Sequence, residues 1–116
     1  MNPRELVHAV LQGDDLAARQ WVKDAKRAHV DFSTIEDPKL DGDEGVVAAA
    51  LVELFAQRQG KTPPTWTKCV GRASTPRFLM RRAETSPALR RWCMEDTPDV
   101  LRRRNVFALR DYLNVL

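Results

Sequence analysis

The sequence predicts an all-α fold: a compact single-domain bundle of five to seven short helices around a central apolar helix, spanning residues 1–116. Three observations carry this prediction. Val46 to Phe55 is apolar at nine of ten positions, with Glu53 the exception, and a helix apolar nearly all round belongs in the middle of a domain. Glycine is scarce, at five residues and none grouped, and the connections are short, which argues against a barrel or sandwich. Cap-plus-proline pairs at Ser86-Pro87 and Thr97-Pro98 punctuate the second half as helix starts.

In chain order, Asn2-Pro3-Arg4-Glu5 opens a first helix, with Asn2 as cap, Pro3 at its first position and Glu5 as a capping-box acid. Leu6, Val7, Val10 and Leu11 form its apolar face, and Gly13 ends it. Asp14 or Asp15 caps a second helix running to about Ala28. Leu16, Ala18, Trp21, Val22, Ala25 and Ala28 are expected inward, and Arg19, Lys23, Lys26 and Arg27 outward. The glycine joint invites comparison with a helix-turn-helix, but Arg19 stands where an apolar lock residue is needed. Residues 29–42 read as an irregular connection that tucks Val30, Phe32, Ile35 and Leu40 inward and turns at Asp37-Pro38 and Asp41-Gly42.

The central helix is expected over residues 43–59. Asp43 and Glu44 suit its positive N-terminal end, Arg58 suits its last turn, and Gly60 fits the position just past it. Pro63-Pro64 then breaks the chain. Thr65 to Val70 reads as a short helix with Trp66, Cys69 and Val70 on one side. Phe78-Leu79-Met80 is too short for periodicity to decide, and an extended or single-turn segment is expected. Leu89, Trp92 and Cys93 are placed inward on the helix that Ser86 caps. Thr97 is expected to cap the next helix, which Arg102-Arg103-Arg104 ends. Val106 to Leu109, Tyr112, Leu113, Val115 and Leu116 are apolar enough to pack down.

Composition is that of an ordinary globular protein, with 43% hydrophobic and 30% charged residues. No apolar run suits a signal peptide or a membrane anchor, so a cytoplasmic protein is expected. Cys69 and Cys93 read as buried free thiols, with neither a disulfide nor a metal between them. The net charge of +3 is unevenly spread. Residues 72–116 hold ten basic residues, all arginine, against five acidic ones, whereas residues 1–71 carry a net −2.

Catalytic constellations are missing from the sequence. It has no GxSxG, no phosphate-binding glycine loop, and no CxxC or HExxH. His8 and His29 have no obvious partner. Glu36, Asp37, Asp41, Asp43 and Glu44 do not match calcium-loop spacing and suit a solvated loop and a helix N-terminus. Trp21, Trp66 and Trp92 read as core, with Trp92 after Arg90-Arg91 the one place where base stacking would fit. The sharpest feature is arginine clustering. Arg81, Arg82, Arg90, Arg91, Arg102 and Arg103 form the candidate partner-binding face. Three adjacent helical residues spread over about 200°, so the 102–104 triplet cannot point one way. One or two of the three are expected to cap carbonyls or pair with Glu95, Asp96 or Asp99.

Ala17-Ala18-Arg19-Gln20-Trp21-Val22, Pro63-Pro64-Thr65-Trp66-Thr67 and the run Thr97 to Phe107 resemble segments of a group of small uncharacterised bacterial helical proteins. Their order and spacing are similar over most of the chain. Such proteins are associated with two-gene operons beside a nucleotidyltransferase-like partner, in the manner of toxin–antitoxin pairs. The resemblance implies an antitoxin-like or accessory role and supplies no catalytic residues. The chain departs from the pattern at Ala108-Leu109-Arg110, which replaces a proline-rich approach to the last aromatic.

Three functional readings follow. The first is a non-catalytic protein-binding module whose partner is a protein, with a nucleotidyltransferase-like toxin as one form of it. The second is a nucleic-acid-binding module using the C-terminal arginines. The third is an enzyme built from unclustered polar residues. No cofactor, metal or membrane partner is expected.

Overall fold

The structure, a computed structural model, describes residues 1–114. Five α-helices appear: α1 (Arg4–Leu11), α2 (Asp15–Arg27), α3 (Gly42–Arg58), α4 (Pro87–Asp96) and α5 (Asp99–Arg102). Two 3-10 turns, Thr65–Cys69 and Arg81–Glu84, and two short strands, β1 (Arg77–Phe78) and β2 (Val106–Phe107), make up the other elements among the described residues. The protein is mostly helical, as its patterning predicts, but not purely so. β1 and β2 pair in parallel, with Arg77 opposite Val106 and Phe78 opposite Phe107. That pairing joins segments remote in sequence, which local periodicity does not register.

The organising element is α3. Every residue from Gly45 to Ala56 is buried, and α1, α5 and the 65–69 turn all pack on the helix. Its start is tight. A Cβ on Gly45 would lie 2.4 Å from the Leu40 carbonyl oxygen, so only glycine admits the incoming loop so close. Gly60, with φ +69°, takes the left-handed conformation expected just past the end of the helix.

Local signals place the flanking helices well. Asp14 accepts the Ala17 N–H and caps α2, and Ser86 accepts the Leu89 N–H and caps α4. Asn2 accepts the Arg4 N–H at the start of α1. Trp21, Phe32 and Phe55 form an aromatic chain in the core, with ring centroids 6.2 and 5.1 Å apart. Ile35 is buried with them, and Val30 and Leu40 are half-buried against the same core.

Several inward assignments are corrected. Leu16 is 80% exposed. The buried stripe of α2 is Ala18, Trp21, Val22 and Ala25. Leu16 stands two residues before that stripe, about 200° around the helix. Ala28 is exposed because α2 ends at Arg27 and the chain turns at His29, which has φ +54°. Trp92 is 57% exposed. α4 rests on a small second cluster made by Ala83, Cys93 and Phe107 with Phe78, Met80, Leu89 and Leu109. That support is narrow, and Trp92 falls beside it. Cys93 is buried, but Cys69 is exposed, and both thiols are free. On the 65–69 turn it is Thr67 that is buried.

Thr97 has another task than the expected one. The residue before α5 is Pro98, without a side-chain cap. The Thr97 hydroxyl accepts the Ala108 N–H at 3.2 Å and lies against the Cys93 and Ala108 carbonyls. It therefore occupies the Ala108 N–H and C=O just past the end of β2. Beyond β2, Tyr112 and Leu113 are buried as predicted, while Val115 and Leu116 lie outside the described residues.

The Tyr112 hydroxyl is buried and has no hydrogen-bond partner among the described residues. Burial, and secondarily the Asp15 carboxylate, raises the phenol well above its ordinary range. The unfolded chain ionises this group near pH 10 and the folded chain does not, so the stabilisation is complete below about pH 10 and is lost as pH rises above it. Tyr112→Phe is expected to raise stability by about 1 kcal/mol at neutral pH, because it removes an unpaired buried hydroxyl. It should also flatten the loss above about pH 10. Urea titrations of both proteins between neutral and alkaline pH test this, and a variant less stable than the parent at every pH would refute it.

Candidate functional site

Of the six candidate arginines, Arg81 and Arg90 line one groove, of about 700 Å³, which Arg77 and Glu84 also line. The C-terminal end of α1 (Val10 to Gly13) and the run Pro76 to Leu79 form its walls, with Met94 at its rim. Arg82 and Arg91 are exposed and do not line the groove. Arg102 and Arg103 lie outside it, at the end of α5.

Each groove arginine has its own placement. Arg81 crosses the α1–α2 turn, where a Cβ on Gly13 would fall 2.5 Å from its Cδ. Gly13 is needed for its φ of +72°, and the exposed Arg81 side chain lies where a Cβ there would sit. The Arg81, Arg82 and Arg91 guanidinium groups make no hydrogen bond or ion pair among the described residues. Arg90 donates to the Ala83 carbonyl at 3.2 Å and the Glu84 carbonyl at 2.8 Å, and its guanidinium lies 5.7 Å from the Phe78 ring centroid. Arg77 pairs with Asp43 at 3.6 Å across a half-exposed gap.

The 102–104 triplet is mainly architecture. Arg102 reaches the Glu95 and Thr97 carbonyls at 3.5 and 3.4 Å, the capping role expected of one member. Arg103 and Arg104 turn instead to Glu53 in the middle of α3. Glu53 is 3% exposed and Arg104 is 7% exposed. Arg104 donates through Nε and Nη2 to the two Glu53 oxygens at 2.6 and 3.1 Å. Its remaining N–H groups go to the carbonyls of Thr67, Val70 and Gly71. All five donors of the guanidinium fork are used, a geometry lysine cannot supply. Asp96 pairs with Arg110, not with the triplet.

The lone carboxylate in the apolar run Val46 to Phe55 is the sequence signal for this buried pair. The exposure of Trp92 and Met94 left no such signal, because residue type alone points both inward.

Among the described residues, no group of three or more His, Cys, Asp or Glu side chains is placed to hold a metal ion. His8 stands 3.8 Å from Glu44 on the surface. Among the described residues no helix is long and apolar enough to cross a membrane. No protein-family model, curated protein or solved structure matches this chain.

Proposed function

We propose that this chain is a non-catalytic protein-binding module, antitoxin-like or an accessory subunit of a two-gene bacterial system, working in the cytoplasm. In the terms of the resemblance, its partner is a nucleotidyltransferase-like protein. The observation that carries this reading is the surface around α4. Trp92 and Met94 are exposed at 57% and 44%, beside the unpaired Arg91 and the arginine-lined groove. Tryptophan and arginine are the residues that most often dominate the energy of protein interfaces. The helices reading as a bundle around α3 would supply a rigid support for that surface.

The second reading is a nucleic-acid-binding module, favoured by one observation, the exposure of Trp92 next to Arg91. An exposed ring beside an arginine suits base stacking. Against it, Arg103 and Arg104 are committed to Glu53 and Arg90 to backbone carbonyls, which leaves fewer arginines for phosphates.

Titration against generic duplex DNA and RNA at two salt concentrations separates the two. The protein-binding reading expects no saturable binding to either. Micromolar binding at low salt, collapsing as salt rises and lost on joint replacement of Arg81 and Arg91 by alanine, would reverse the ranking. The positive counterpart is co-purification with the product of an adjacent nucleotidyltransferase-like gene, where Trp92→Ala should cost about 2 kcal/mol or more of affinity.

A further inference from the structure

Resting on the protein-docking reading above, we infer that the groove beside β1 receives an extended, acidic segment of the partner as a third strand. The two-stranded sheet has two outer edges, and they differ. Along the outer edge of β2 Val106 is fully buried, and Ala108, just past the strand, exchanges hydrogen bonds with the Thr97 hydroxyl. The outer edge of β1 is open. Arg77 and Leu79 donate to Asn105 and Phe107 across the sheet, each at 3.0 Å. Successive residues of a strand alternate in direction, so the Phe78 N–H and C=O face the other way. Neither forms a hydrogen bond among the described residues outside the ladder.

That open edge borders the groove. Pro76, Arg77, Phe78 and Leu79 all line it. Four consecutive residues reach one cavity along a strand's edge rather than from one of its faces, because their side chains alternate. The size agrees. An added strand occupies roughly 4.8 Å in the pairing direction, about 10 Å through the sheet and about 3.3 Å per residue, or roughly 160 Å³ per residue. A groove of about 700 Å³ therefore holds about four residues.

The lining sets the side-chain pattern. Val10, Leu11, Phe78, Leu79 and Met94 offer an apolar surface. Three arginines line it against one acid, Glu84; Arg77 pairs with Asp43 and Arg90 donates to backbone carbonyls, while Arg81 is unpaired among the described residues. An extended segment presents alternate side chains to opposite sides, so the matching partner sequence alternates apolar and acidic residues. Main-chain hydrogen bonds to an open edge supply affinity, and the alternate pockets supply selectivity.

The test uses the full chain, isotope-labelled for amide spectroscopy, and three capped hexapeptides. The first alternates valine and glutamate, the second has lysine in place of glutamate, and the third is the first with alternate amides N-methylated. The valine–glutamate peptide is expected to shift the Phe78 amide most and to slow its hydrogen exchange. Lysine substitution, N-methylation and Arg81→Glu in the protein are each expected to weaken binding at least tenfold. Arg81 is exposed, so its replacement leaves the core intact, and Arg81→Glu should restore binding of the lysine peptide. Equal binding of the N-methylated peptide would refute strand addition and leave the protein-docking reading standing. No shift at the groove up to millimolar peptide would likewise overturn this inference, while the docking reading is decided separately by the nucleic-acid titration and the Trp92→Ala result.

Discussion

Replacing Arg104 by alanine is expected to lower the unfolding free energy by about 3–5 kcal/mol, a large share of the roughly 5–15 kcal/mol available to a domain of this size. The cause is the Glu53 carboxylate, which stays buried in α3 when its partner is removed. The carbonyls of Thr67, Val70 and Gly71 lose their donor in the same step. Arg104→Lys should recover little, because an ammonium has three donors and no fork. Arg103→Ala provides the contrast. Arg103 also touches Glu53, at 3.0 Å, but its side chain is 58% exposed. Its loss should cost about 1 kcal/mol or less. Urea midpoints at unchanged slope measure all three. Equal effects from Arg103 and Arg104 would contradict the account of a buried pair with an exposed companion.

The second large effect is expected at Leu51. Its side chain is fully buried on α3. Leu51→Ala removes that burial and leaves a cavity, for a cost of about 2–5 kcal/mol. Leu16→Ala makes the same chemical change on a residue that is 80% exposed, and it should fall within about 0.5 kcal/mol of the parent. The pair is a direct test of which leucine belongs to the core. A large loss at Leu16 would place α2 in a different rotation from the one described.

What the sequence disclosed was whatever is written within a few residues. The all-round apolar run of α3, the caps at Asp14 and Ser86 and the glycine past Arg58 act over one helical turn, and all were legible. Leu16 is apolar but stands about 200° round α2 from its buried stripe, an offset that residue type alone does not show. Trp92 was misplaced because the support beneath α4 is narrower than the helix. The β1–β2 pairing and the Glu53–Arg104 contact depend on segments brought together from far apart, which no local pattern encodes. The candidate face shows the same division. Clustering in sequence found Arg81 and Arg90, which share a groove. It also included Arg103, which pairs with the Glu53 carboxylate on α3 and does not line that groove.

The span between Glu53 and Arg104 has a consequence during synthesis. The two residues are 51 positions apart. At about 5–20 residues per second, the ribosome takes roughly 3–10 seconds to travel from one to the other. During that interval the nascent chain contains the most apolar helix of the protein with an unneutralised carboxylate at its centre. Burying that carboxylate alone is costly, so the final packing of α3 is disfavoured until its partners arrive. Full closure of the core around Glu53 is therefore expected only once Arg103 and Arg104 have been made.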